Sequence, residues 1–149
     1  MKLVDYLGHS LKSDEVIDLI ETNELTVTYN FDLCRENAPD EYLIADKANG
    51  FEMRFDETQK LIAIFCHVVG SDDMSPVSPD LVGVPILRSL TEARAASEGM
   101  DCNFTFRERV EFLGDVHDWA RLEFGHQSWH YQFQKTGLNL ITLMTRHPT

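Results

Sequence analysis

Two pairs of neighbouring segments set the strongest limit on the fold of this 149-residue chain. Residues 51–55 (FEMRF) alternate apolar and charged side chains, which is the pattern of a strand with one buried face. Residues 61–67 follow as an apolar run, which is typical of a central strand covered on both sides. Residues 129–133 and 140–144 repeat this order, an alternating aromatic segment and then an apolar one. The repeat predicts two similar sheet units.

A helix signal precedes each pair of segments. Ser13, followed by Asp14 and Glu15, predicts the start of a short amphipathic helix over residues 13–21, because serine caps backbone N–H groups and carboxylates suit the positive helix end. Residues 89–92 (SLTE) have the form of a capping box that opens a second helix. The shared order of helix, strands and apolar strand indicates an ancient duplication.

The predicted fold class is therefore α+β. We expect a compact single domain, residues 1–149, in which two similar helix-plus-antiparallel-sheet units are related by a pseudo-twofold axis. The units span about residues 1–70 and 80–149, and the turn-forming segment 70–80 joins them. The sequence leaves open whether the two units share one continuous sheet or pack as two sheets.

Aromatic side chains in the second unit are predicted to fill the core. Their period-two spacing is what a strand with one buried face uses, although Trp119, beside Asp118, could lie at the rim of the core. The set comprises Trp119, Trp129, Tyr131 and Phe133.

Charge is the clearest signal in the composition. The chain has 13 Lys and Arg against 25 Asp and Glu, a formal net charge of −12, and most of the excess lies in residues 1–75. Phosphate binding depends on clustered Lys and Arg, so we expect neither nucleic acid nor a membrane as partner. A negative field attracts cationic proteins, although it also serves solubility.

The expected location is the cytoplasm. No apolar run approaches the roughly 20 residues of a membrane-spanning helix, and residues 1–10 lack the apolar region of a secretory signal. Cys34, Cys66 and Cys102 are an odd number of cysteines at wide spacings, without a pair spaced for zinc. We interpret them as reduced thiols that are mostly buried.

Neither catalysis nor a metal or cofactor site is predicted from local patterns. His126 and His130 are four residues apart, but in a strand this spacing separates them by about 13 Å. Cys66 and His67 are adjacent in a predicted strand, so their side chains point to opposite faces and cannot form a nucleophile–base pair. We therefore assign no catalytic, cofactor-binding or metal-binding residue.

A set of acidic residues is the predicted partner-binding site. These residues lie in or beside segments without apolar periodicity, so we expect them to be exposed and able to face a partner, although solvated loops have the same composition. The set comprises Asp32, Glu36, Asp40, Glu41, Asp72 and Asp73.

Several short stretches resemble small bacterial immunity proteins of polymorphic toxin systems. In chain order they are residues 50–56 (GFEMRFD), residues 89–93 (SLTEA), the strand around Trp119, residues 130–133 (HYQF) and residues 141–144 (ITLM). The resemblance implies a non-enzymatic protein that binds and neutralises a cognate toxin, often a nuclease, inside the producing bacterium. We expect a monomer or a homodimer. A basic toxin would suit the negative charge.

Two other functions stay open. The first is a small-molecule-processing enzyme with its site between the two units, drawing on His117, Asp118, His126 or His130. It predicts a deep pocket lined by these side chains with shifted pKa values. Asp115, His117 and Asp118 could also hold a cation, but such clusters more often cap loops or helices. The second alternative is an acidic adaptor subunit of a larger effector.

Overall fold

One antiparallel sheet of eight strands dominates the structure, a computed structural model that describes residues 1–31 and 39–146. The strands are β1 (Val27–Asn30), β2 (Glu41–Asp46), β3 (Phe51–Phe55), β4 (Leu61–His67), β5 (Asn103–Phe112), β6 (Asp115–Glu123), β7 (Gln127–Gln134) and β8 (Gly137–Thr145). Their spatial order is β1-β2-β3-β4-β8-β7-β6-β5. The sheet is continuous across the central β4–β8 pair, and β1 and β5 form its two edges.

The helices are few and short. They are a 3₁₀ helix (Leu3–Tyr6), α1 (Asp14–Thr22), α2 (Pro79–Val82) and α3 (Leu90–Glu98). None of the helices in the described part of the chain is long and apolar enough to cross a membrane.

The predicted α+β class, with two duplicated helix-plus-sheet units, is wrong. Helices hold 19% of the residues and strands 43%, so the protein is a β-rich fold built on a single sheet. The extent of the strands is clearest in residues 103–112, where charged residues stand between Phe106 and Val110. In the structure they lie within β5, an exposed edge strand where charged side chains are tolerated.

Local signals predicted the structure more successfully than the overall pattern did. The Ser13 hydroxyl accepts a hydrogen bond from the backbone N–H of Val16 at 3.4 Å, which confirms the predicted start of α1. The Ser89 hydroxyl accepts from the backbone N–H of Glu92 at 3.1 Å, which confirms the start of α3. The alternating burial of β3 is confirmed as well.

The helices cover one face of the sheet, which we name the covered face. A row of paired residues crosses it through Phe51, Cys66, Ile141, Tyr131 and Ala120, each no more than 1% exposed. Side chains from the helical segments complete this core; they include Leu3, Val16 and Ala93. Burial of these apolar groups is the main force that holds the helices on the sheet.

The opposite face of the sheet, which we name the open face, carries no described helix. The prediction that β4 is covered on both sides is therefore wrong. Phe65 and His67 of β4 point to the open face and are partly buried. No described helix covers them, and only neighbouring side chains shield them from solvent. The Arg54 guanidinium lies 5.2 Å from the Phe65 ring centre, an example of this shielding.

Candidate protein-binding surfaces

The acidic residues predicted to bind a partner fall into separate groups. Asp32 and Glu36 lie outside the described residues. Asp40 and Glu41 stand together at the start of β2. Asp72 and Asp73 are exposed in the segment between β4 and α2.

The first group is held by hydrogen bonds and an ion pair. The Tyr29 hydroxyl donates to the Asp40 carboxylate at 2.6 Å. This hydrogen bond is the main cause that raises the pKa of Tyr29 to about 12. The Glu41 carboxylate lies 3.3 Å from Nε of Arg54, which projects from the adjacent strand β3. The carboxylates of this group are therefore fixed in position at one end of β2.

The second group lies at the other end of the same strand. Asp73 accepts a hydrogen bond from Nζ of Lys47 at 3.1 Å, and Lys47 directly follows β2. Because a strand rises about 3.3 Å per residue, Lys47 and Glu41 are about 20 Å apart. The described acidic residues therefore form two groups at opposite ends of β2 and not one continuous patch.

The open face offers a larger surface that the sequence did not identify. Alternate residues of the central strands and of β2 and β6 point away from the helices. Their apolar side chains are partly exposed and lie outside the buried core cluster. They are Leu43, Phe65, Trp119, Leu140 and Met144.

Trp119 was predicted to fill the core or to lie at its rim, and it lies partly exposed on the open face, outside the buried core cluster. Its ring centre is 5.2 Å from that of His130, and the Arg121 guanidinium carbon lies 5.3 Å from the Trp119 ring centre. Nε of Arg121 donates to Nδ1 of His130 at 3.4 Å across the β6–β7 pair. These contacts hold a flat aromatic and cationic cluster in a fixed orientation on β6 and β7.

His130 is the residue of this cluster with the most perturbed ionisation. Burial, and then the positive charge of Arg121 and the nearby His117, lower the pKa of His130 to about 4. The imidazole is therefore neutral at pH 7, which leaves Nδ1 free to accept the proton that Arg121 shares.

Charged and hydrogen-bonding groups on the open face stand next to one another. Nε2 of His67 lies 3.2 Å from a Glu52 carboxylate oxygen. Nη1 of Arg121 lies 4.0 Å from a Glu123 carboxylate oxygen. A partner that covered this face would bury these groups beside opposite or hydrogen-bonding neighbours, which lowers the penalty for removing water from them.

The residues of the alternative enzyme site do not share one pocket. His117 and Asp118 line a cavity of about 590 Å³ between the end of the β5–β6 hairpin and the β7–β8 turn. His126 lines a different cavity of about 420 Å³, which also includes residues Val4 and Leu7. His130 lies on the open face and lines neither of these two cavities.

The described residues show no metal centre and no activated thiol. Across residues 1–31 and 39–146, no group of three or more His, Cys, Asp or Glu side chains is arranged to hold a metal ion. Cys66 is fully buried, and burial raises its pKa to about 12, so the thiol stays protonated at neutral pH. Cys102 is partly buried, and Cys34 lies outside the described residues.

We expect His130 to make the protein sensitive to mild acid. In the unfolded chain the imidazole titrates near the ordinary histidine pKa of 6.5, whereas in the folded protein its pKa is lowered to about 4. Between these values the unfolded chain binds more protons, so the free energy of unfolding falls as the pH falls. The expected contribution is about 2 kcal/mol between pH 7 and pH 5.

Urea unfolding of the wild type and of His130→Gln at both pH values measures this contribution. Carboxylates titrate in both proteins, so the difference between the two pH dependences isolates His130. Identical pH dependences would contradict the assignment.

No protein-family model, curated protein or solved structure matches this chain.

Proposed function

We propose that this chain is an immunity-type binding protein that occupies and neutralises a cognate protein toxin in the cytoplasm of the producing bacterium. The observation that carries the proposal is the open face, a sheet surface without a covering helix that displays partly exposed aromatic and apolar side chains. In this proposal the protein acts by binding and performs no reaction.

The aromatic cluster on β6 and β7 suits a contact surface. Tryptophan and arginine are enriched among the residues that dominate binding energy. Tryptophan buries a large area with only two side-chain torsions to order. Trp119 and Arg121 are already held by their contacts with His130. A partner would therefore meet an aromatic cluster that is ordered before binding, which reduces the entropic penalty of association.

Electrostatics favours a basic toxin as the partner. The net charge of −12 gives the molecule a negative field that accelerates the approach of a cationic protein. The fixed carboxylates of Asp40, Glu41 and Asp73 lie on the same half of the sheet, at the two ends of β2. We expect the association rate to fall steeply with salt, because charges more than a Debye length apart, about 8 Å at physiological ionic strength, are largely screened.

Calorimetry tests this proposal. It measures the binding of this chain to the purified product of the adjacent toxin gene, inactivated at its active site. Trp119→Ala is expected to weaken binding by at least about 30-fold, the loss typical of an aromatic residue that dominates a contact. Val27→Thr is the control, because Val27 pairs with Ile44 on the covered side of β1 and should leave affinity unchanged. Equal affinities of the wild type and Trp119→Ala would show that the open face is not the contact surface.

A further inference from the structure

The end of the β5–β6 hairpin has an unusual turn. Phe112 and Asp115 form the last pair of the hairpin, so Leu113 and Gly114 are its two loop residues. Both have positive φ, 49° for Leu113 and 87° for Gly114. Two positive φ values in a two-residue hairpin loop define a type I′ turn, in which Asn-Gly is the preferred sequence.

Leucine is a poor residue for the first position of this turn. Its Cβ makes the left-handed conformation unfavourable, and it has no polar group to satisfy the backbone locally. Its side chain is also 89% exposed, so it adds nothing to the core of this domain. Neither the conformation of the turn nor the packing of the fold accounts for a leucine here, which points to a role outside the domain.

The neighbouring strand residues extend this apolar surface around the hairpin end. Phe112 is 67% exposed and Val116 is 53% exposed. Val116 pairs with Glu111, the residue before Phe112, so Phe112 and Val116 point to opposite faces of the hairpin. With Leu113 at the end, apolar groups surround the tip. A flat partner surface could cover only one side of it, whereas a cleft could enclose all three side chains.

Charged groups beside the tip indicate which charge a cleft on the partner protein would carry. Glu111 and Asp115 are exposed carboxylates next to the apolar side chains. Asp115 and Asp118 also line the cavity of about 590 Å³ beside the hairpin, together with Lys135. The Asp118 carboxylate accepts a hydrogen bond from the backbone N–H of Arg109 at 2.8 Å, which fixes its position. Three carboxylates, those of Glu111, Asp115 and Asp118, stand here against Lys135 and Arg109, so the surroundings favour cationic side chains.

A second copy of this chain is a poor occupant for the same reason. Two tips brought together would place Glu111 and Asp115 of each copy near those of the other, and like charges in a contact oppose association. Pairing through the free edge of β5 is also disfavoured, because charged residues and a register shift between Arg107 and Val110 interrupt that edge.

We infer that the hairpin tip, defined as Phe112, Leu113 and Val116, is an anchor that inserts into an apolar cleft of the partner protein. The cleft is rimmed by lysine or arginine side chains, which meet Glu111 and Asp115 and reach the adjoining cavity. This inference rests on the proposed function, since it names the feature of the toxin that the chain recognises.

Leu113→Asn separates binding from folding. Asn-Gly is the favoured type I′ sequence, so the melting temperature should stay the same or rise, while the apolar anchor is lost. We expect affinity for the inactivated product of the adjacent toxin gene to fall by at least about 30-fold. Phe112→Thr is the second variant, because threonine also suits a strand. Ile17→Gln, on the exposed surface of α1, is the matched control and should bind like the wild type.

The outcomes are distinguishable. If the wild type binds and both tip variants bind equally well, the anchor is wrong and the proposed function stands. If the wild type itself does not bind, the proposed function fails and takes the anchor with it. A lower melting temperature for Leu113→Asn would show that Leu113 serves the fold, against the inference. A wild-type dimer that Leu113→Asn converts to monomer in sedimentation would make a second copy the occupant and overturn the assignment.

Discussion

Replacing Gly50 by alanine is expected to lower the free energy of unfolding by about 3 kcal/mol or more, through backbone conformation and a backbone clash together. Gly50 has a φ of 76°, and a Cβ at this position would lie 2.3 Å from the carbonyl oxygen of Ser75 and 2.5 Å from the nitrogen of Val77. Both atoms belong to the backbone, so no side-chain rotation can relieve the contact. The backbone there is also anchored, because the N–H of Val77 donates to the carbonyl of His67 at 2.7 Å.

Gly114→Ala provides a matched control for Gly50→Ala. Gly114 has a φ of 87°, but a Cβ there would meet no atom within 4 Å. Gly114→Ala should therefore lower the free energy of unfolding only by the conformational contribution, about 1 kcal/mol. Urea unfolding of both variants measures the difference. Similar losses for the two would show that the segment at residues 75–77 does not pack against the β2–β3 turn as described.

Tyr131→Ala is expected to have the largest effect of any single core substitution, a loss of about 4 kcal/mol. Tyr131 is fully buried at the centre of the covered face, between Ala120 of β6 and Ile141 of β8. Its hydroxyl donates to the backbone carbonyl of Pro85 at 2.7 Å, and burial raises its pKa. The side chain therefore fills the core and also ties the segment between α2 and α3 to the sheet.

Tyr131→Phe separates these two contributions. It keeps the ring but removes the donor to Pro85, so the expected loss is about 1 kcal/mol. Thermal and urea unfolding of both variants provide the values. A loss below about 1 kcal/mol for Tyr131→Ala would contradict the central position of this side chain, since truncating a large buried residue normally has a greater effect.

Local physics made part of the fold predictable. The capping hydroxyls of Ser13 and Ser89 and the alternation in residues 51–55 are properties of short segments, and the structure confirms all three. The fold class depends on how strands pair across the whole chain, which short segments do not determine. The β5–β6 hairpin has no Asn-Gly or Asp-Gly signal at its turn, because Leu113 and Gly114 occupy it.

The candidate surfaces were less predictable than the strands. Alternation shows that Trp119 and Arg121 share one face, but not whether helices cover that face, because this depends on where distant segments pack. The sequence therefore left Trp119 between the core and its rim, and the structure places it on the open face. The acidic residues were treated as one set, yet the length of β2 separates Glu41 from Asp73. The exposed Leu113 was not recognised because one leucine beside a glycine carries no pattern.

Growth rescue is the most direct test of the proposal that this chain neutralises a toxin by binding it. The gene adjacent to that of this chain is expressed alone in a bacterial host to verify its toxicity, and then together with this chain. Restored growth with the wild type, and loss of rescue with the folded Leu113→Asn and Trp119→Ala variants, is the predicted result. Continued growth arrest in the presence of soluble, folded wild-type protein would contradict the proposed function.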